Sequence, residues 1–156
     1  MGSHVLRVFA VTLLAASGLL QAAKPDFSGT WKLNASKSDF GAMPAPDSRT
    51  DRITHHDPDL TDSFTQSSQM GEVTAEMRYA TDGKETINSV RGSEIKTTAK
   101  WEGDDLAVSG KGSLQGADFT FADRWSLAAD GKTLTIKRHV NSPMGETDQK
   151  IVLEKQ

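Results

Sequence analysis

Phe119-Thr120-Phe121-Ala122-Asp123-Arg124-Trp125-Ser126-Leu127 and Thr133-Leu134-Thr135-Ile136-Lys137-Arg138-His139-Val140 flank the dipeptide Asp130-Gly131, and the reading of this stretch decides the fold. On both sides apolar and polar residues alternate with a period of two, the pattern of a strand with one buried and one wet face. Asp-Gly between two such runs is a strong hairpin signal. Residues equidistant from the centre of a hairpin turn face each other, so Trp125 is set against Ile136 and Leu127 against Leu134. Apolar then meets apolar. The same register sets Asp123 directly against Arg138 on the apolar face. Either ion alone would be costly to bury, and pairing is what makes the two tolerable there.

The test extends outward along the chain. Around Gly103-Asp104, Trp101 faces Leu106 and Ala99 faces Val108; around Gln115-Gly116, Phe119 faces Gly112 and Phe121 faces Gly110, large against small. Val73, Ala75, Met77 and Tyr79 form one further stripe, and Ile95, Thr97, Ala99 and Trp101 another. Asp82-Gly83, Met70-Gly71 and Asp57-Pro58-Asp59 supply more turns. Weaker strands are predicted over Ser28 to Asn34, Thr50 to His56, Leu60 to Ser68, Glu85 to Val90 and Lys150 to Glu154, with Ser36 to Ser48 a loop around Pro44 and Pro46. The result is an all-β chain, a single antiparallel up-and-down meander of about ten strands. Such a sheet must close or expose two long edges, and closure into a barrel is the expectation.

The first residues read differently. Arg7 precedes the apolar run Val8 to Leu20, and Gln21-Ala22-Ala23 supplies small residues for cleavage, so residues 1-23 are predicted to be a signal peptide and residues 24-156 the mature barrel domain. A periplasmic or secreted location follows. The run is short for a span of about 20 residues, so no stable membrane insertion is expected after cleavage. The chain has no cysteine, which excludes disulfides, thiol chemistry and a lipid anchored on cysteine. Removing Arg7 leaves 17 of the 18 basic residues against 21 acidic ones, a formal charge of −4, and no nucleic acid partner is expected.

Candidate site residues come from the inward face. Arg138, with its planar fork, could hold the anionic head of a guest while Asp123 orients it; the plainer alternative is a structural ion pair that helps set register. Met77, Tyr79, Asn88, Thr97 and Phe121 face the same interior and suit a mostly apolar cavity. A turn centred on Pro58-Asp59 would set His55 opposite Asp62 and Ile53 opposite Phe64, a His-carboxylate pair able to act as a base. No nucleophile elbow, phosphate loop, zinc spacing or calcium loop is present, and His139 falls on the outer face. Binding is therefore favoured over catalysis, with no catalytic residue, cofactor or metal expected.

Phe27-Ser28-Gly29-Thr30-Trp31-Lys32-Leu33 resembles the first strand of lipocalins and fatty-acid-binding proteins, the calycin barrels. The resemblance implies that Trp31 closes one end of the barrel under an arginine, Arg124 or, from its inward placement, Arg138. It implies a small hydrophobic or amphipathic ligand as partner and an exported type of bacterial character. The chain departs from those families in having no helical lid after Leu33, no Arg-x-Tyr in its last strand and no Gly-x-Gly after Trp31. Two functions of different class follow from this reading. The first is a binding protein with a guest inside the barrel. The second is a filled barrel acting as an interaction or inhibitor module through its surface and the Ser36 to Ser48 loop.

Overall fold

The computed structural model describes residues 22–156; the expected signal peptide lies, apart from Ala22 and Ala23, outside the described residues. The strands are β1 (Gly29–Leu33), β2 (Ser48–His56), β3 (Asp59–Ser68), β4 (Gly71–Ala80), β5 (Thr86–Val90), β6 (Ser93–Glu102), β7 (Asp105–Leu114), β8 (Ala117–Leu127), β9 (Thr133–Ser142) and β10 (Gly145–Lys155). Each pairs antiparallel with the next in sequence except β4 with β5, and β10 returns to pair with β1. The meander therefore closes into a nearly complete barrel.

The three predicted registers hold. Trp125 faces Ile136 and Asp123 faces Arg138; Trp101 faces Leu106; Phe119 faces Gly112 and Phe121 faces Gly110. The Phe121 ring lies across Gly110, where any Cβ would collide with it. Two strands run longer than the alternation suggests. β2 starts at Ser48, and β10 starts at Gly145, because Arg49, Asp51, Thr147 and Gln149 share the parity of the inward residues and hide the apolar stripe.

Between β2 and β3 the register differs from expectation. The turn is centred on Asp57-Pro58, one position earlier, so His55 faces Leu60, Ile53 faces Asp62 and Asp51 faces Phe64. Proline suits the second loop position, and His56 and Asp59 become the closing pair. The predicted His55–Asp62 pairing is thereby corrected.

The seam between β4 and β5 is closed by side chains. Arg78 N–H donates to Asn88 Oδ1 at 2.7 Å, and Asn88 Nδ2 donates back to the Arg78 carbonyl at 2.9 Å. Thr86 Oγ1 donates to the same carbonyl at 2.8 Å. One asparagine thus reproduces the donor and acceptor that a neighbouring strand would offer, so the backbone groups of Arg78 are satisfied without a ladder.

Alternate turns fall at opposite ends. The end that carries the turns after β2, β4, β6 and β8 is the base, and it is solid. Phe27, Trp31, Leu60, Leu106, Trp125, Leu134 and Leu153 are buried there in one cluster. Phe27 stacks on His55 and Trp101 with centroids 5.6 and 5.7 Å away and meets Trp125 edge-on at 5.8 Å. Trp31 closes this end, donating from Nε1 to the Phe27 carbonyl at 2.9 Å. The cation over Trp31 is Lys155, 5.5 Å from its ring, and not an arginine. Lys155 pairs with Trp31 in register. Arg138 lies over Phe121 instead, higher in the barrel, and Arg124 points outward to Asp105 and Glu102.

Candidate functional site

The other end is the mouth, ringed by the β1–β2 loop and the turns after β3, β5, β7 and β9. Below it lies a pocket of about 300 Å³. Its walls are Phe119, Phe121, Val140 and Ile151, and its roof is the β1–β2 loop through Phe40, Met43, Pro44 and Pro46. That loop holds one turn of 3-10 helix, Ala35–Lys37, and is tied to β10 where Asp39 and Lys150 exchange backbone hydrogen bonds at 2.7 Å. Among the described residues the 3-10 turn is the one helical element of this loop.

Two arginines reach this pocket from different strands, Arg49 on β2 and Arg138 on β9. Each is clamped side-on by an aspartate. Arg138 Nε and Nη2 donate to the two Asp123 oxygens at 2.7 Å each. Arg49 Nε and Nη2 donate to Asp51 at 2.8 and 2.6 Å. The fork geometry fixes both guanidinium planes and leaves each Nη1 free of the clamp. The rings of Phe121 and Phe64 face the two guanidinium carbons at 5.1 and 4.7 Å, so each cation is held between a carboxylate and an aromatic face.

Asp62 completes the belt. It is 2% exposed, its Oδ1 has no hydrogen-bond partner among the described residues, and its Oδ2 is 4.0 Å from Arg49 Nη2. Burial, and next the Asp51 charge, push its carboxyl well above the usual carboxylate range and so favour its protonated form. The belt is then balanced, two guanidiniums against the Asp51 and Asp123 carboxylates. Burial would depress the arginines, but those carboxylates outweigh it and keep both firmly charged. Tyr79, in the core beneath the belt, has its phenol pushed up, above all by burial.

The predicted site residues divide accordingly. Arg138 and Phe121 line the pocket, and Asp123 holds Arg138 from beneath. Met77 and Tyr79 are buried in the core below, Tyr79 edge-on to Trp125 at 5.8 Å. Asn88 serves the seam, and Thr97 supports it by accepting from Asn88 Nδ2 at 3.0 Å. His55 is in the base, far from the mouth. Its Nδ1 accepts the Phe27 N–H at 3.2 Å, which leaves Nε2 as the donor to Asp57 at 2.8 Å. Its interactions fasten the N-terminal segment. The sequence reading misses Arg49 and Asp51, sets Asp62 beside His55 instead of in the belt, and takes the Ser36 to Ser48 loop as an outer surface instead of the pocket roof. The signal that would have found them is Arg49 and Asp51 at the spacing of one strand face, read together with a turn centred on Asp57-Pro58. Among the described residues no three His, Asp or Glu side chains converge as metal ligands would.

A ten-strand antiparallel meander with a solid base and an open mouth is an up-and-down barrel. The solved structures agree. The chain is similar to zebrafish ileal bile acid-binding protein, complexed there with cholic acid, at 16% identity and a TM-score of 0.57, over 83% of this chain and 98% of that one. It is similar also to the secretory abundant heat soluble protein of Ramazzottius varieornatus, at 14% identity and a TM-score of 0.62, over 86% of this chain and 97% of that one. These neighbours are barrels of the fatty-acid-binding-protein and calycin type, and the likeness is one of fold. No protein-family model and no curated protein matches the chain.

Proposed function

We propose that the protein is an exported small-molecule binding protein that holds a hydrophobic or amphipathic guest in the upper half of the barrel, with the guest's polar head at Arg138 and Arg49. The observation that carries this reading is the convergence of two clamped arginines, from β2 and β9, on one pocket whose other walls are aromatic and aliphatic. The guanidiniums are already desolvated and oriented, so a head group accepting from their free Nη1 hydrogens meets little ordering cost. The cholic acid held by the zebrafish bile acid-binding protein, an anionic amphipath, lends the reading support from a shared fold. A volume of about 300 Å³ is at the small end for ligand pockets, and the solid base bars deeper entry, so a compact guest is favoured over a long one.

Displacement of a fluorescent fatty acid, with native mass spectrometry of gently purified protein, tests this. The variant pair Arg138→Met with Asp123→Asn removes both charges at similar volume, leaving no buried ion unpaired. The expected result is a cooperatively folded protein that no longer binds the probe. Unchanged affinity in that variant, or no binding by the unaltered protein, refutes the anchor.

A further inference from the structure

We propose that the pocket takes up an anionic guest together with one proton, and that Asp62 is the residue that carries this proton. The linkage rests on the pocket reading above and narrows the guest's polar head to an anion. Three carboxyls, Asp51, Asp62 and Asp123, stand in the belt against two guanidiniums, Arg49 and Arg138. Asp51 and Asp123 each spend both oxygens on the fork of one arginine, so those two pairs are complete. Asp62 is the carboxyl left over. It is buried, its Oδ1 has no partner among the described residues, and its Oδ2 stands 4.0 Å from Arg49 Nη2, a group already donating to Asp51.

The groups around Asp62 decide what its charge does. From β2 it meets Arg49 and the Asp51 carboxylate, and from across the barrel the field of Arg138 on β9, which Asp123 of β8 clamps. On β4 its register partner is the apolar Met77, with the buried Tyr79 phenol beneath. The histidines of the described residues, the side chains that ordinarily titrate near neutrality, stand elsewhere: His55 in the base, His56 exposed at the end of β2 and His139 on the outer face with Asp148. With a proton on Asp62 the belt is balanced, and an anion at the free Nη1 groups leaves it with a single excess negative charge. With Asp62 ionised that excess is already present, and the same anion would double it in a site shielded from water. Burial, and next the Asp51 charge, hold the proton on Asp62 to higher pH than an exposed carboxyl would keep it.

Arg49 connects the proton to the guest. It lines the pocket, whereas Asp62 does not, so Asp62 is a positioning residue that acts through Arg49. Ionised, Asp62 competes with the guest for the charge of Arg49; protonated, it leaves that charge to Asp51 and the guest. Linkage is reciprocal: a proton that strengthens anion binding is itself held more tightly once the anion is bound. The sign follows. Affinity for an anion is complete below the folded pKa of Asp62 and falls as pH rises through it. A guest of the same shape without charge has no such dependence, so the site is loaded with anions at the acid side and emptied at the alkaline side.

Two fluorescent probes built on the same rings make the test: 1-anilinonaphthalene-8-sulfonate, whose sulfonate stays ionised throughout, and N-phenyl-1-naphthylamine, which lacks it. The affinity of the full chain for each is measured from pH 5 to pH 9, with near-ultraviolet circular dichroism to verify one fold across the range. The unaltered protein is expected to bind the sulfonate about tenfold more weakly, or worse, at pH 9 than at pH 5, and the uncharged probe equally at both. Asp62→Asn, which keeps the shape and does not titrate, is expected to bind the sulfonate at pH 9 as tightly as the unaltered protein does at pH 5. Calorimetry in two buffers of different ionisation heat, at the midpoint of the fall, should register protons taken up with the sulfonate by the unaltered protein and none by Asp62→Asn. A flat sulfonate profile in the unaltered protein, or the same fall in Asp62→Asn, overturns the linkage and leaves the pocket reading standing. Binding of the uncharged probe alone overturns the anionic guest. Neither probe bound at any pH is a failure of the pocket reading itself, and the linkage falls with it.

Discussion

Asp62→Asn should stabilise this protein, and increasingly so as pH rises. The carboxyl is buried beside Asp51, with Oδ1 unpartnered and Arg49 4.0 Å from Oδ2, too far for a hydrogen bond. Its folded pKa is raised above the ordinary carboxylate value of about 3.9. The folded state therefore holds this proton more tightly than the unfolded chain does. The stability it contributes is complete below about pH 3.9 and is lost as pH climbs through the raised folded value. Asparagine keeps the shape, has no charge to bury and offers N–H donors toward the Asp51 carboxylate. A buried unsatisfied polar group costs about 1–3 kcal/mol, and that is the gain expected at pH 8. For a domain of this size it corresponds to roughly 3–10 °C in Tm. Urea unfolding followed by tryptophan fluorescence at pH 5 and pH 8 measures it, since Trp31 and Trp125 are buried close to the belt. A variant equal to or weaker than the unaltered protein at pH 8, or a gap between the two that ignores pH, refutes the reasoning.

Removing the seam asparagine, Asn88→Ala, strands the Arg78 N–H, while the carbonyl keeps its bond from Thr86 Oγ1, and should cost about 1–3 kcal/mol. Amide hydrogen exchange at Arg78 should accelerate by more than at the laddered strands. Phe27→Ala empties the centre of the aromatic base, with an expected loss of about 3–5 kcal/mol in chemical denaturation and, because His55 loses its stacking partner, a changed His55 resonance in NMR spectra.

Much of this architecture is legible in the sequence. Asp130-Gly131, Gly103-Asp104 and Gln115-Gly116 each centre a hairpin whose strands alternate cleanly, so period and turn chemistry specify register twice over, and the Asp123–Arg138 pair follows. The failure at β2 and β3 has the opposite cause. Asp57-Pro58-Asp59 offers two possible turn centres, and the inward residues Arg49, Asp51 and Asp62 are polar, so alternation does not choose between them. The same polarity hid half of the candidate site, because a residue that serves a polar belt inside a barrel carries the hydropathy of a surface residue. Arg138 was correctly aimed inward, but whether Trp31 lies under it or under Lys155 depends on the height of each along the barrel axis. One-dimensional periodicity does not encode that height.

The ladder between β1 and β10 has a consequence in time. Trp31 pairs with Lys155, so the first stave of the barrel waits for the last. As the chain emerges from a ribosome, β1 to β4 can form only an open sheet with β1 as a bare edge, prone to pairing with other chains. Closure joins residues separated by nearly the whole sequence, the kind of contact that slows folding. Folding to completion is therefore an event of the finished chain, and a truncation within Gly145–Lys155 would remove the one strand able to cover that edge.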